Sequence, residues 1–283
     1  MSHSRVPPIY DLRVSLIHVA KIEFYWKDVQ CEDVITNPSI GEINKMKLIG
    51  KVAIITGASS GIGRETARLF SEEGAMLVLH GRRKDRLAEL ASELGNCVYL
   101  FGDITDASVP IQLLSEALNK FGRVDVVVNN AGVNHVGTIE EVDIEKLCEM
   151  ARINVEANYR LIYTVLKHFK AAGNGHLINT TSVMGGKVRP TAGGYAGTKH
   201  AIEALSEALR IELAGTPIRV SCIAPGLVLT ELHRDSEQHP AKSRGIGQPL
   251  EPRDVAQIAL MIATLPSRIN IPQVLLLPQD HAI

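Results

Sequence analysis

Lys51-Val-Ala-Ile-Ile-Thr56-Gly57-Ala58-Ser59-Ser60-Gly61-Ile62-Gly63 is the stretch on which the fold turns. Lys51 to Thr56 is a short apolar run rich in β-branched side chains, which reads as a buried strand. Gly57, Gly61 and Gly63 permit a tight turn and close backbone approach. From Ile62 to Glu73 the pattern becomes helical, and the first N–H groups of a helix have no partner inside it. Strand, glycine-rich turn and helix together form a receptor for a pyrophosphate, so Gly57, Ser59, Ser60, Gly61, Ile62 and Gly63 are candidate cofactor contacts. A lone glycine pattern is weak; this one has the strand before it and the helix after it. Its spacing is G-x-x-x-G-x-G, not G-x-G-x-x-G.

Outward from this point the alternation repeats. Met76 to His80, Cys97 to Phe101, Val124 to Val128, His176 to Thr180, Ile218 to Ile223 and Val274 to Leu277 are short apolar runs. Between them lie helix-length segments at Lys84 to Leu94, 107–121, 143–171, 195–214 and 252–264. Short buried strands separated by helices imply parallel crossovers. The expected fold is α/β: a Rossmann-like doubly wound parallel sheet of about seven strands with helices on both faces, in a single domain over 47–283. Residues 1–46 read differently. They hold Tyr10, Phe24, Tyr25 and the only tryptophan, Trp26, are punctuated by Pro7-Pro8 and Asn37-Pro38, and keep no period. They are expected to be a loosely ordered N-terminal extension, with a partner contact through the aromatics as the alternative.

Composition narrows the function. With 30 Lys+Arg against 31 Asp+Glu in 283 residues, no global basic field points to nucleic acid or an anionic membrane. At 45% hydrophobic and 22% charged, the chain is not of disordered type. Cys31, Cys97, Cys148 and Cys222 lie far apart, which fits a reducing compartment better than a disulfide framework. No run approaches the roughly 20 apolar residues of a membrane span, and Val14 to Trp26 is broken by Lys21 and Glu23. The expected location is the cytoplasm, with organelle targeting through residues 1–46 as the alternative.

The second strand ends Leu79-His80-Gly81-Arg82-Arg83, with no acid before Asp85. An acid there would serve the ribose 2′-OH of NAD; the guanidinium forks of Arg82 and Arg83 suit a 2′-phosphate, so NADP is favoured over NAD. Tyr195 and Lys199 stand four apart in a helical pattern and share a face. A free phenol titrates near pH 10, and a neighbouring cation favours the phenolate. Ser182 closes the fifth strand, at the edge where ligands bind in open α/β sheets, and its hydroxyl suits a developing alkoxide. Asn129-Asn130-Ala131-Gly132 and Pro225-Gly226 close two more strands at that edge. Asn154 interrupts a long amphipathic helix, where an amide is mildly unfavourable.

In order and spacing, Thr56-Gly57-x-x-x-Gly61-x-Gly63, Asp103-Ile104, Asn129 to Gly132, Asn154, Ser182, Tyr195-x-x-x-Lys199 and Pro225-Gly226-x-Val228-x-Thr230 resemble the short-chain dehydrogenase/reductase family in its compact form. The resemblance spans about residues 47–283, and Gly81 to Leu87 is similar to the NADP-preferring members. It implies that Tyr195 is the general acid in reduction and the base in oxidation. Lys199 would bond the nicotinamide ribose and depress the Tyr195 pKa, Ser182 would hold the substrate oxygen, and Asn154 would fix a water in a proton relay. Asp103 and Ile104 would border the adenine, Asn130, Ala131 and Gly132 the adenosine side, and Pro225, Gly226, Val228 and Thr230 the nicotinamide. The implied function is NADP(H)-dependent interconversion of a carbonyl and a secondary alcohol, in a homodimer or homotetramer; a silent NADP(H)-binding protein of the same fold is the alternative. The ending Pro278 to Ile283 looks like that of members acting on small hydroxy acids or carbonyls. No metal site is expected: His233 and His239 read as part of a solvated loop, positioned as a lid over the substrate. His135 is placed to line the pocket, while His80 and His200 read as structural or surface residues.

Overall fold

The computed structural model describes residues 47–233, 240–243 and 245–283. The expectations for Tyr10, Phe24, Tyr25 and Trp26, and for His239 and its polar neighbours, lie outside the described residues. Seven strands form one parallel sheet: β1 (Val52–Thr56), β2 (Met76–Gly81), β3 (Cys97–Phe101), β4 (Val126–Asn129), β5 (Gly175–Thr180), β6 (Ile218–Pro225) and β7 (Gln273–Leu276). Their order is β3-β2-β1-β4-β5-β6-β7. The chain therefore reverses direction across the sheet between β1 and β4, and the carboxyl ends of these two strands flank the crevice where doubly wound folds bind ligands.

Eight α-helices connect them among the described residues: α1 (Gly61–Glu72), α2 (Lys84–Leu94), α3 (Val109–Phe121), α4 (Ile144–Ala151), α5 (Asn158–Ala172), α6 (Gly193–Glu212), α7 (Pro240–Ser243) and α8 (Pro252–Thr264). Side chains alternate across a strand. Val52 and Ile54 of β1 accordingly pack with Leu113 of α3, Leu161 and Val165 of α5, and Ile202 and Leu209 of α6. Ala53 and Ile55 pack on the other face with Phe70 of α1, Leu87 and Leu90 of α2, and Val255 and Ile262 of α8. Each large side chain wholly removed from water in these layers contributes roughly 1.5–3 kcal/mol.

At the amino ends of the strands, Asp125 accepts the Val52 N–H at 3.0 Å, Arg123 at 2.6 and 2.8 Å, and Lys51 at 3.2 Å. Burial pushes its carboxyl up, but these donors outweigh it and hold the pKa below the usual range. This knot anchors β1 beside β4, the pair that frames the crevice.

One element departs from the single helix expected over 143–171. Arg152–Ala157, between α4 and α5, is a π-helical turn. Two amides account for it. Asn158 Nδ2 donates to the Ile153 carbonyl five residues back, at 2.9 Å, and Asn154 turns its side chain out of the helix toward Val133. Wide turns of this kind recur at functional sites.

Candidate active site

The carboxyl edge of the sheet opens into a cleft of about 1300 Å³. On one side the chain leaves β1 through Gly57, whose φ of +67° few L-residues adopt. A Cβ on Gly57 would lie 2.8 Å from Asn130 Nδ2, and one on Gly63 would lie 2.5 Å from the Gly57 carbonyl oxygen. The turn, the start of α1 and the Asn130 loop are thus packed too closely for side chains. Thr56 locks them: its Oγ1 accepts the N–H groups of Asn130 and Ala131 at 2.9 and 3.0 Å, and its carbonyl accepts Asn130 Nδ2 at 3.1 Å. Ser60 precedes α1 without capping it through its side chain, and no acid stands in the first turn. The positive end of α1 is left for an anion.

Arg82 is exposed at the cleft wall. Arg83 is held: its Nε and Nη2 each donate to Ser59 Oγ at 3.2 Å, Nη2 also to Ser60, and Nη1 pairs with Glu231. Glu231 takes Arg86 as well, at 2.5 Å. Across the cleft floor, Asp103 accepts the N–H and hydroxyl of Thr105 at 2.9 and 2.8 Å, and the backbone bond leads in holding its carboxyl low. His80 is buried, not on the surface; neither ring nitrogen has a partner, and burial pushes its pKa down to about 4 against the pull of Asp103.

The hydroxyl cluster stands at the end of β5 and the start of α6. Ser182 Oγ accepts the Met184 N–H at 3.1 Å, and Ser182 stands near enough to the Tyr195 hydroxyl to draw its pKa down. One helical turn on, Lys199 Nζ lies 5.9 Å from the Tyr195 ring centre and donates to the Thr180 carbonyl at 3.1 Å. Burial lowers the Lys199 pKa to about 8, opposed by the negative side of Glu203 and Cys222. Burial also raises the Tyr195 pKa, with Ser182 acting the other way. Desolvation thus sets the direction of the Tyr195 shift, and the one lowering influence comes from Ser182 rather than from the Lys199 expected in that role. Asn154 is buried behind them. Its Oδ1 accepts the Val133 N–H at 2.9 Å, and its Nδ2 donates to the Val133 carbonyl at 2.8 Å and to Thr198 Oγ1 at 3.2 Å.

Of the residues singled out from sequence, Gly57, Ser59, Ser60, Gly61, Ile62, Arg82, Arg83, Asp103 and Ile104 border the one cleft. So do Asn130, Ala131, Gly132, Ser182, Tyr195, Lys199, Pro225, Gly226, Val228 and Thr230. Gly63 and Asn154 sit behind its wall as supports, and His135 does not line it. Gly185 to Gly194 is expected from sequence to shape the pocket, and Arg189 within it does line the cleft; Thr56 as a staple and Glu231 as the partner of two arginines were not foreseen. Only Thr56 had a local signal, since it stands at a strand end beside the glycine turn. Among the described residues no group of three or more His, Cys, Asp and Glu is arranged for a metal ion. No helix among them is long and apolar enough to cross a membrane.

A glycine-rich turn at the switch point and a Ser–Tyr–Lys cluster on the same edge are the parts of a dinucleotide-binding oxidoreductase. The chain belongs to the short-chain dehydrogenase family, whose model matches residues 51–241. An uncharacterized oxidoreductase of Staphylococcus epidermidis is 33% identical over 233 residues, covering 82% of this chain and 99% of the relative. The closed form of a serine dehydrogenase complexed with NADP+ superposes with a TM-score of 0.77 at 28% identity, over 82% of this chain and 96% of the other. A 3-ketoacyl-(acyl-carrier-protein) reductase from Brucella melitensis, complexed with NADH, gives a TM-score of 0.75 at 32% identity, over 82% and 98%.

Proposed function

We propose that this chain is an NADP(H)-dependent oxidoreductase interconverting a small carbonyl compound and its secondary alcohol, with Tyr195 as the general acid and base. The observation that carries the reading is the convergence of Ser182, Tyr195 and Lys199, whose Nζ lies 5.9 Å from the Tyr195 ring centre, in the same cleft as the glycine-rich turn. The residues fit the cofactor. The close-packed glycines leave the backbone open to a pyrophosphate, the uncapped end of α1 offers N–H donors, and Arg82 is available to a 2′-phosphate. Asp103, Ile104 and the buried His80, all on the cleft wall, would border the adenine end, Asn130 to Gly132 the adenosine side, and Pro225 to Thr230 the nicotinamide.

When bound, the nicotinamide supplies or accepts the hydride. The chain's own work is proton traffic and position. Ser182 donates its hydroxyl hydrogen to the substrate oxygen and holds it beside Tyr195. Tyr195 gives its phenolic proton to that oxygen as negative charge develops, and takes it back in the reverse direction. Lys199 stabilises the resulting phenolate through its charge. Both amide hydrogens of Asn154 are committed, to Val133 and to Thr198, so its side chain acts by holding the Val133 turn to the Lys199 helix. A relay water at Asn154 would therefore donate to one of its oxygens rather than accept from its amide. In this reading the enzyme works in the cytoplasm as a homodimer or homotetramer, and the exposed Tyr163 of α5 and Ile211 of α6 would suit the contact.

Tyr195→Phe tests the assignment: it should abolish carbonyl-dependent NADPH oxidation while NADPH still binds, and retained turnover would sink it. In the same series, Arg82→Ala should weaken NADPH far more than NADH. Equal losses for the two would refute the 2′-phosphate role.

A further inference from the structure

One wall of the cleft is not used by the proton machinery. The connection from Ser182 to α6 passes through Lys187, Val188 and Arg189, and all three border the cleft. Arg189 is half-buried. Its Nη1 donates to its own neighbours, the Pro190 carbonyl at 3.2 Å and the Thr191 hydroxyl at 3.1 Å. Its Nε is buried with no acceptor. Nη2, the other nitrogen on that edge of the guanidinium, makes no bond to the described residues either. Burial lowers the Arg189 pKa and no acid opposes the shift.

The arginine is held where it is. Thr191 adopts a φ of +67°, an outlier for a β-branched residue, and its carbonyl takes the Gly137 N–H at 3.0 Å. That bond ties the arginine loop to the segment after Gly132, where Val133, Asn134 and Val136 form the adjoining wall. Asn134 Oδ1 is likewise buried without a partner. The acids bordering the cleft are occupied elsewhere: Asp103 by Thr105, and Glu231 by Arg83 and Arg86. Lys187 adds a second positive charge on the same stretch. A half-buried guanidinium whose Nε has neither water nor, among the described residues, an acceptor leaves a costly donor unmet. Its free Nε–Nη2 edge is a planar two-donor fork of the width of a carboxylate.

From this wall we infer that Arg189 anchors a carboxylate on the substrate, so that the enzyme works on small oxo acids or hydroxy acids in preference to neutral ketones or alcohols. The inference rests on the reaction proposed above and names its substrate class. Ser182 and Tyr195 take the reacting oxygen; Arg189 takes the far end of the same molecule and fixes which face of the carbonyl meets the hydride. A carboxylate is favoured over a phosphate because one flat edge is free rather than a cluster of donors.

Three oxo acids of increasing length serve as probes: 3-oxobutanoate, 4-oxopentanoate and 5-oxohexanoate, each against its methyl ester with NADPH. The wild-type kcat/KM should favour at least one acid over its ester by about 10- to 100-fold, the range of a charge-assisted pair. Arg189→Met should erase that ratio by lowering the acid alone, while Arg189→Lys restores part of it, and melting temperatures check that both variants fold. Calorimetric binding of the same acids and of 4-oxopentanamide to wild-type and Arg189→Met protein gives a readout free of turnover. Arg189-dependent binding of an acid without hydride transfer would uphold the anchor and count against the proposed reaction. Turnover with an acid-to-ester ratio unchanged in Arg189→Met would overturn the anchor and leave the reaction standing. Failure of all three acids to bind would overturn it as well.

Discussion

In Lys199→Met the length of the side chain is kept and the ammonium is lost. Lys199 is only 8% exposed, and burial brings its pKa from 10.5 down to about 8. At pH 7 the lysine is charged in both the folded and unfolded chain, so the difference in pKa is a cost of holding the charge in the folded site, about 3 kcal/mol. Removing the ammonium recovers that amount and forfeits the bond to the Thr180 carbonyl, worth roughly 1.5–3 kcal/mol for a charged donor. The net effect at pH 7 is small, neutral to about 1.5 kcal/mol stabilising. The pH dependence is larger. Between pH 8 and 10.5 the folded chain has released the lysine proton and the unfolded chain still binds it, so wild-type stability rises with pH, by about 1.4 kcal/mol per unit. Methionine has no such slope. Urea unfolding of both proteins without cofactor, at pH 7, 8, 9 and 10, should show wild type gaining on the variant by about 2–3 kcal/mol over that range. Parallel profiles would refute the reasoning and mean that the folded site holds the ammonium without penalty.

Two further substitutions probe the supports behind the cleft wall. Asn154→Ala leaves both the N–H and the carbonyl of Val133 without their partner and should cost about 3 kcal/mol. That corresponds to a fall of roughly 6–12 °C in melting temperature, and a fall below 2 °C in a scanning calorimeter would show that the clamp is dispensable. Gly63→Ala drives a methyl to within 2.5 Å of the Gly57 carbonyl oxygen, so the turn must shift at a cost of about 1–3 kcal/mol. NADPH titration followed by fluorescence should show affinity lowered by at least 10-fold, and unchanged affinity would remove the turn from the phosphate site.

The strands were legible because their signal is local. Val52 to Thr56 is apolar, β-branched and bounded by glycine, and the structure ends β1 at the same threonine. Ser182, Tyr195 and Lys199 were legible through spacing, since strand ends and helix turns convert sequence intervals into directions. The π turn was not, because it depends on amides at Asn154 and Asn158 that are satisfied by Val133 in another segment and by a carbonyl five residues back. Nor was Arg189, whose meaning lies in what does not surround it. An arginine in a polar loop looks the same in sequence whether or not an acid stands opposite. Glu231 is a third case, joined to Arg83 across 148 residues of chain that no local pattern spans.

The wide turn at Arg152–Ala157 also sets the phase of everything after it. A π turn holds one more residue than an α turn over nearly the same rise, so α4 turns Met150 toward Gly194 and His135 while α5 turns its apolar stripe into the sheet layer. Met150 before the turn and Leu161, Ile162 and Val165 after it are all buried. Deleting one residue between 152 and 157 would let the segment close into a regular α-helix with α4 and α5 still in phase, whereas converting the turn to α-helix with all its residues kept would rotate one half by about 100° relative to the other. Either Asn154 would leave Val133 or the α5 stripe would leave the sheet. The wide turn is therefore what keeps the cleft and the core in step: it carries Asn154 to Val133 while α5 keeps its apolar face on the sheet.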